Sequence, residues 1–246
     1  VNVLAMSTAT SQLSVALQTA NRTVEKNRTD SRNHSIHLMP TITHILEQEN
    51  LKLNDIQAVV VAQGPGSYTG VRIGVTAAKT MAKVLNKKLY GVSTLALLAR
   101  NVLDSEALIV PVIDARNHNF FASAYSVDEE GHYSEQLKEQ HIDFEGLVNQ
   151  LRSKAVKLGK NKLIFVGESL KEQQSEFSDL FSKTEVKIEV AKDNLVHAEL
   201  AISMLDQLTP ENIDLFVPEY LRKTQAETDW AKTNGDHDGN QYVEEV

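Results

Sequence analysis

One order of elements occurs twice along this chain, and it constrains the fold more than any single motif does. Val3 to Met6 is a short apolar strand. Leu13, Val15 and Leu17 alternate with Ser14, Ala16 and Gln18 as a half-buried strand does, and Thr23 to Thr29 reads as a third, polar strand after a turn at Ala20-Asn21. From Leu38 the period becomes helical, with Leu38, Ile42, Ile45 and Leu46 on one face and Ser35 a candidate N-cap. A buried-type strand at Ala58 to Ala62, a helix from Gly70 to Asn86, a strand at Leu89 to Val92 and a helix at Leu95 to Val102 follow. The second pass has strands at Leu108 to Ile113, Phe120 to Val127 and Glu135 to Ile142, then a helix at Phe144 to Lys154 and a strand at Lys162 to Val166. It closes with a helix at Leu170 to Phe181, a strand at Val186 to Val190 and a helix at Ala198 to Leu208. Two copies of one alternating unit predict two α/β lobes with mixed sheets, 1–104 and 105–225, parted near Asp104-Ser105. The polar stretch 226–246, with six acids against the single Lys232, is expected to be a mobile tail.

The length of 246 residues suits two compact domains at roughly 100 to 200 residues each. Lys and Arg number 25 against 33 Asp and Glu, and a net charge of −8 argues against the chain gripping nucleic acid alone. The absence of cysteine excludes disulfides, thiolate metal sites and a cysteine nucleophile, and suits the cytoplasm. The longest apolar run, Ala107 to Ile113, falls far short of the roughly 18 residues of a membrane helix, and no targeting segment is expected.

The most specific stretch is Gly64-Pro65-Gly66-Ser67-Tyr68-Thr69-Gly70, between a buried strand and a helix, where backbone N–H groups and the helix dipole can hold a phosphate. It lacks the Gly-Lys-Ser/Thr ending of a phosphate loop, and the next strand, ending Tyr90-Gly91-Val92-Ser93, offers no acid for a Rossmann site. A tight turn is the equally weighted alternative. Along the following helix Gly70, Gly74, Ala78 and Ala82 recur at spacing four, a groove of small residues that something must approach closely. It packs either on the chain's own sheet or, as the favoured reading, against a helix of another molecule.

Three other features carry weaker signals. His34 and His37 lack the third ligand of a metal site, Asp114-Ala115-Arg116 places a carboxylate or a local ion pair at a strand end, and Asp236-His237-Asp238 lacks the later acid of a calcium loop. No metal site and no catalytic triad is expected.

Several blocks together resemble the TsaB (YeaZ) family: Leu4-Ala5-Met6-Ser7-Thr8-Ala9-Thr10, His34-Ser35 with Leu38 and Pro40, the glycine loop through Val71-Arg72-Ile73-Gly74, Gly91-Val92-Ser93-Thr94-Leu95, Ile113-Asp114-Ala115-Arg116 and Pro218-Glu219-Tyr220-Leu221-Arg222. The resemblance implies an actin-like, sugar-kinase and Hsp70-type fold of two ribonuclease-H-like lobes. It implies a non-catalytic role in forming threonylcarbamoyladenosine at position 37 of tRNAs that read codons beginning with A. The partners it implies are TsaD, which carries out the transfer and forms a heterodimer with the family, and the ATPase TsaE, with tRNA met only through the complex and a homodimer when the chain is alone.

In the family the first two helices form the dimer surface, which maps here onto His34, Leu38, Ile42 and Ile45 with Gly70, Gly74, Ala78 and Ala82. The family's usual Asp at the end of the first strand is Ser7, which removes an anchor for a metal-bound phosphate. No intrinsic cofactor is therefore expected, with ATP or ADP left open at the partner interface. The competing reading is an enzyme that binds ATP in its own cleft through Thr8, Thr10, Gly64 and Gly66. Any direct tRNA contact would come from local patches such as Lys79, Lys83, Lys87 and Lys88.

Overall fold

The computed structural model describes residues 1–29, 33–168, 170 and 187–221. Its first sheet contains β1 (Val3–Ser7), β2 (Gln12–Gln18), β3 (Thr23–Thr29), β4 (Ala58–Gly64) and β5 (Lys88–Ser93), in the order β3-β2-β1-β4-β5. Within it β1 runs antiparallel to β2 and parallel to β4. The second sheet holds β6 (Ala107–Asp114), β7 (Asn119–Val127), β8 (Tyr133–Asp143), β9 (Lys162–Val166) and β10 (Lys187–Val190), in the order β10-β9-β6-β7-β8. There β6 runs antiparallel to β7 and parallel to β9, so the two mixed sheets repeat one topology. This is the fold class that the doubled element order predicts.

Helix α1 (His34–Gln48) packs on β2 and β3, and α2 (Tyr68–Leu85) on β4 and β1. The helix starts a turn earlier than its periodicity suggested, because Pro40 is accommodated inside it. Proline there leaves the carbonyl of Ile36 without its donor, which costs little on the exposed side where Ile36 lies. Asn33, not Ser35, takes the N-cap position. Ser67 caps α2 by accepting from the Gly70 N–H, and Asn86 ends it in the left-handed conformation.

The short α3 (Thr94–Ala99), capped by Ser93, lies between the sheets and packs on β4, β5, β6 and β7. Strand β6 shows why both lobes cohere: Leu108, Val110 and Val112 face the core of the second lobe under α4 (Phe144–Leu158), whereas Ile109 belongs to the core shared with the first lobe.

The chain then returns. Helix α5 (Ala198–Ser203), preceded by residues assigned from sequence to the second lobe, packs on β1, β2 and β4, on the sheet face opposite α1 and α2. Beyond it an extended strap follows the flank of α2. Lys79 Nζ donates to the carbonyls of Asp214 and Phe216, and the Glu219 N–H donates to the Gln63 carbonyl. Residues 205–219 of the expected second lobe thus lie with the first. The helix expected at Leu170 to Phe181, beyond its first residue, and the tail 226–246, with its Asp236-His237-Asp238, fall outside the described residues. No helix of the described residues is long and apolar enough to cross a membrane.

Candidate functional site

The turn after β1 and the turn after β6 occupy equivalent places in the two repeats, and they face each other across a cavity of about 570 Å³. On one side stand Ala9, Thr10 and Ser11 with Gly66 to Thr69 at the start of α2; on the other stand Ile113 to Arg116, Phe121 and Glu168. Asp114 Oδ1 accepts from the Arg116 N–H at 2.7 Å. Arg116, Asn117 and His118 are three successive residues in the left-handed region, a conformation that costs a non-glycine residue roughly 1–3 kcal/mol. That loop places Arg116 at the cavity.

The glycine loop is stitched to the β1–β2 turn rather than left open. The Ser67 N–H donates to the Ala9 carbonyl at 2.7 Å. A Cβ on Gly66 would stand 2.2 Å from that same carbonyl oxygen, so only glycine lets the two turns meet. Gly64 is buried under the backbone of Glu219. Two carbonyls therefore point at the glycines where a phosphate would need N–H groups. Thr8, expected as a phosphate contact, is 1% exposed and spends its hydroxyl on the Gly70 carbonyl at 2.6 Å. Thr10 does line the cavity, and its Oγ1 has no partner among the described residues; neither has Glu168 Oε1, whose other oxygen accepts from the Ser11 N–H.

The eight residues assigned to a partner interface all turn inward. His34, Leu38, Ile42 and Ile45 are buried, and the His34 Nε2–H donates to the Thr10 carbonyl at 2.9 Å. Gly70, Gly74, Ala78 and Ala82 are buried on the sheet side of α2, where a Cβ on Gly74 would stand 2.6 Å from Thr8 Oγ1 and 3.5 Å from Val61. The favoured intermolecular reading of the small-residue face is corrected: the chain's own β1 and β4 fill it. What the two helices leave outward is a different set, Ile36, Met39 and Thr43 on α1 with Thr76, Thr80 and Val84 on α2, while Ile73 and Ala77 are half-buried against the core. Ile36 is 64% exposed and Val84 77%.

Three further clusters lie outside the site residues read from the sequence. At the mouth of the cavity Tyr68 stacks on Tyr220 with ring centroids 4.9 Å apart, while Arg72 lies over Tyr68 at 4.0 Å and donates to the Tyr220 hydroxyl. Only the Pro218-Glu219-Tyr220 block hinted at this. Between the lobes Glu139 on β8 accepts from the hydroxyls of Ser93 and Tyr125; burial pushes its carboxyl above the usual range. An exposed trio, Asp128, Glu130 and His132, sits in the β7–β8 turn, where Asp128 Oδ1 accepts from the N–H groups of the other two. His34 and His37 do not share a ligand position, since His34 faces the Thr10 turn and His37 lines a groove beside β3.

The family model described as "TsaD: tRNA N6-adenosine threonylcarbamoyltransferase" matches residues 25–230. A Bacillus subtilis protein described as "tRNA threonylcarbamoyladenosine biosynthesis protein TsaB" is 29% identical over 94% of this chain and 98% of its own length. A Haemophilus influenzae protein of the same description is 30% identical over 61% of this chain and 68% of its own. Among solved structures, an uncharacterised Pseudomonas aeruginosa protein described as similar to the peptidase YeaZ superposes with a TM-score of 0.73. It is 22% identical and covers 90% of this chain and 99% of that one.

Proposed function

Because the chain belongs to the TsaB (YeaZ) family, a family of tRNA threonylcarbamoyladenosine biosynthesis proteins, we propose that it works in that synthesis as a non-catalytic subunit, pairing with TsaD and activating it. The observation that carries this reading is the closed glycine loop. The Ala9 carbonyl fills the place beside Gly66 where a phosphate would approach, and β1 ends in buried Ser7, whose hydroxyl accepts from the Ala9 N–H at 3.4 Å. A neutral hydroxyl so engaged does not anchor a metal-bound phosphate as a carboxylate does.

The outward face of α1 and α2 supports docking. Ile36, Met39 and Val84 expose apolar surface on two helices already packed together, so a matching helix pair would complete a four-helix contact. The test is tRNA modification in vitro with a threonylcarbamoyl-adenylate synthase, TsaD and TsaE, with and without this chain. Modification that needs both this chain and TsaD is the expected result; modification by this chain without TsaD overturns the reading.

A second reading, ATP binding in the chain's own cleft, is favoured by the Thr10 hydroxyl, which has no partner among the described residues, in a cavity that Arg116 and the start of α2 also line. Titration calorimetry of the isolated chain with ATP and Mg²⁺ separates the two. Tight one-to-one binding favours the enzyme, and a flat titration favours the accessory subunit.

A further inference from the structure

The overall charge of −8 conceals one local reversal. Strand β3 is an edge of the first sheet, and its residues alternate between two environments. Glu25 and Asn27 face α5, where Glu25 pairs with His197 and accepts from the Asn27 amide. Lys26 and Arg28 face the other way, toward α1, and with His37, Pro40, Thr41 and His44 they line a groove of about 310 Å³. No carboxylate is among the described residues that line it. Neither Lys26 nor Arg28 forms an ion pair among the described residues. Edge strands often carry lysine to block pairing with other chains. That purpose does not require two cations to converge with two imidazoles on one concave surface.

We propose that this groove binds the phosphodiester backbone of RNA. Residues i and i+2 of a strand lie about 6.6 Å apart on the same face, so Lys26 and Arg28 can meet neighbouring phosphates of a single strand. The guanidinium fork of Arg28 suits two phosphate oxygens, and His37, Pro40 and His44, which line the same groove, bring rings against which a ribose or a base can pack. The lysine row of α2 is less suited, because Lys79 and Lys83 are already spent on the strap at Asp214 and Phe216. The groove also borders α1, the helix proposed to dock TsaD, which would lead bound RNA toward the joint between the subunits. The choice of RNA over an acidic protein rests on the accessory-subunit reading given above.

The test is fluorescence anisotropy of a labelled RNA stem-loop with the full chain, from about 50 to about 200 mM salt, for the unaltered protein, the double variant K26E/R28E and the double variant K154E/K157E. The second double variant makes the same charge change on α4. The expected result is that K26E/R28E weakens binding at least about tenfold at low salt and lowers the salt slope by about 1.4, at roughly 0.7 per phosphate contact of a single strand. K154E/K157E should change it less than about threefold on the same scale.

No binding by the unaltered chain at low salt, or equal loss in both double variants, overturns the proposal. So does binding of poly-glutamate that K26E/R28E abolishes while RNA binding persists, which would assign the groove to an acidic protein. Running the TsaD-dependent modification assay beside it keeps the two failures apart. Modification with RNA binding indifferent to K26E/R28E sinks the groove and leaves the accessory role standing, whereas no TsaD-dependent modification at all sinks the accessory role.

Discussion

His197 Nδ1 lies 2.8 Å from a carboxylate oxygen of Glu25, a residue 172 positions earlier, while its Nε2 lies 2.9 Å from Asp193 Oδ2. Both ring nitrogens face carboxylates, so both donate and the ring is an imidazolium. Glu25 also accepts from Asn27, from the Glu199 N–H and from the Ser14 hydroxyl, and Ser14 Oγ in turn accepts from the Ala198 N–H. One network thus fastens the start of α5 to β2 and β3, which is what holds the returning chain on the first sheet.

The hydrogen bond to Glu25 lifts His197 to about 9 from an ordinary 6.5, against an opposing effect of burial. A raised histidine contributes stability that is complete below about 6.5 and is lost as pH rises through about 9. The Glu25 carboxyl is pushed up by burial but held below its usual range by His197, Glu199, Asn27 and Ser14, so its contribution is lost only in acid. Thermal melts should therefore show Tm falling between about pH 6.5 and 9.5 in the unaltered chain and a flatter profile in His197→Ala. An unchanged slope in the variant would mean that another group sets the alkaline limit.

Glu139 should behave in the opposite sense to an ordinary surface acid. Burial raises its carboxyl, bonds from Ser93 and Tyr125 lower it, and the charges of Glu219 and Glu135 raise it again. A carboxyl raised in the folded state favours the protonated form there, so stability is lost as pH climbs through its folded value. Glu139→Gln keeps an acceptor for both hydroxyls and removes the charge. It should raise Tm by a few degrees at neutral pH, on a scale of about 2–4 °C per kcal/mol, and match the unaltered chain near pH 4. A lower Tm at neutral pH would show the charged carboxylate to be a net stabiliser.

The doubled topology was legible because strand and helix periods are local: β9 falls where its apolar run, Lys162 to Val166, predicts it. The small-residue face of α2 was legible as a pattern, but not in its direction. Gly74 meets Thr8, 66 residues away, only because β1 and α2 pack on each other, and no spacing along a helix reveals which neighbour covers it. The same limit hid the His197 network and the groove beside β3, whose members come from β3 and α1. Of the cleft, Thr10 and Gly66 were read from the motif and Arg116 from its strand end, while Glu168 carries no signal in its own neighbourhood.

The inward position of Gly74 changes what its substitution reports. Gly74→Ala should cost on the order of 1–3 kcal/mol by crowding Thr8, whose hydroxyl would have to leave the Gly70 carbonyl, and Gly74→Leu more. Urea unfolding measures this directly, with Thr76→Ala, at an exposed position of the same helix, expected within about 0.5 kcal/mol of the unaltered chain. A Gly74→Leu protein of unaltered stability that no longer pairs with TsaD would return the small face to the interface.

The outward residues make the opposite prediction, and together the two substitutions decide which face of α2 meets a partner. Met39 and Val84 are 44% and 77% exposed, so an aspartate at either site stays solvated in the free chain and should shift stability by no more than about 0.5 kcal/mol. In a complex that covers these positions the same carboxylate must lose its water without gaining a cation, a penalty of several kcal/mol before relaxation. Each 1.4 kcal/mol retained is a tenfold loss of affinity, so M39D and V84D should each weaken pairing with TsaD by at least about tenfold. TsaD-dependent tRNA modification should fall in step and recover at high concentrations of the variant, because pairing and not chemistry is impaired. Light scattering on mixtures of the two proteins reads the first effect and a modification time course the second. If both aspartate variants pair normally, the outward face of α1 and α2 is not the docking surface, and the exposed Leu215 and Val217 of the strap become the next apolar surface to test.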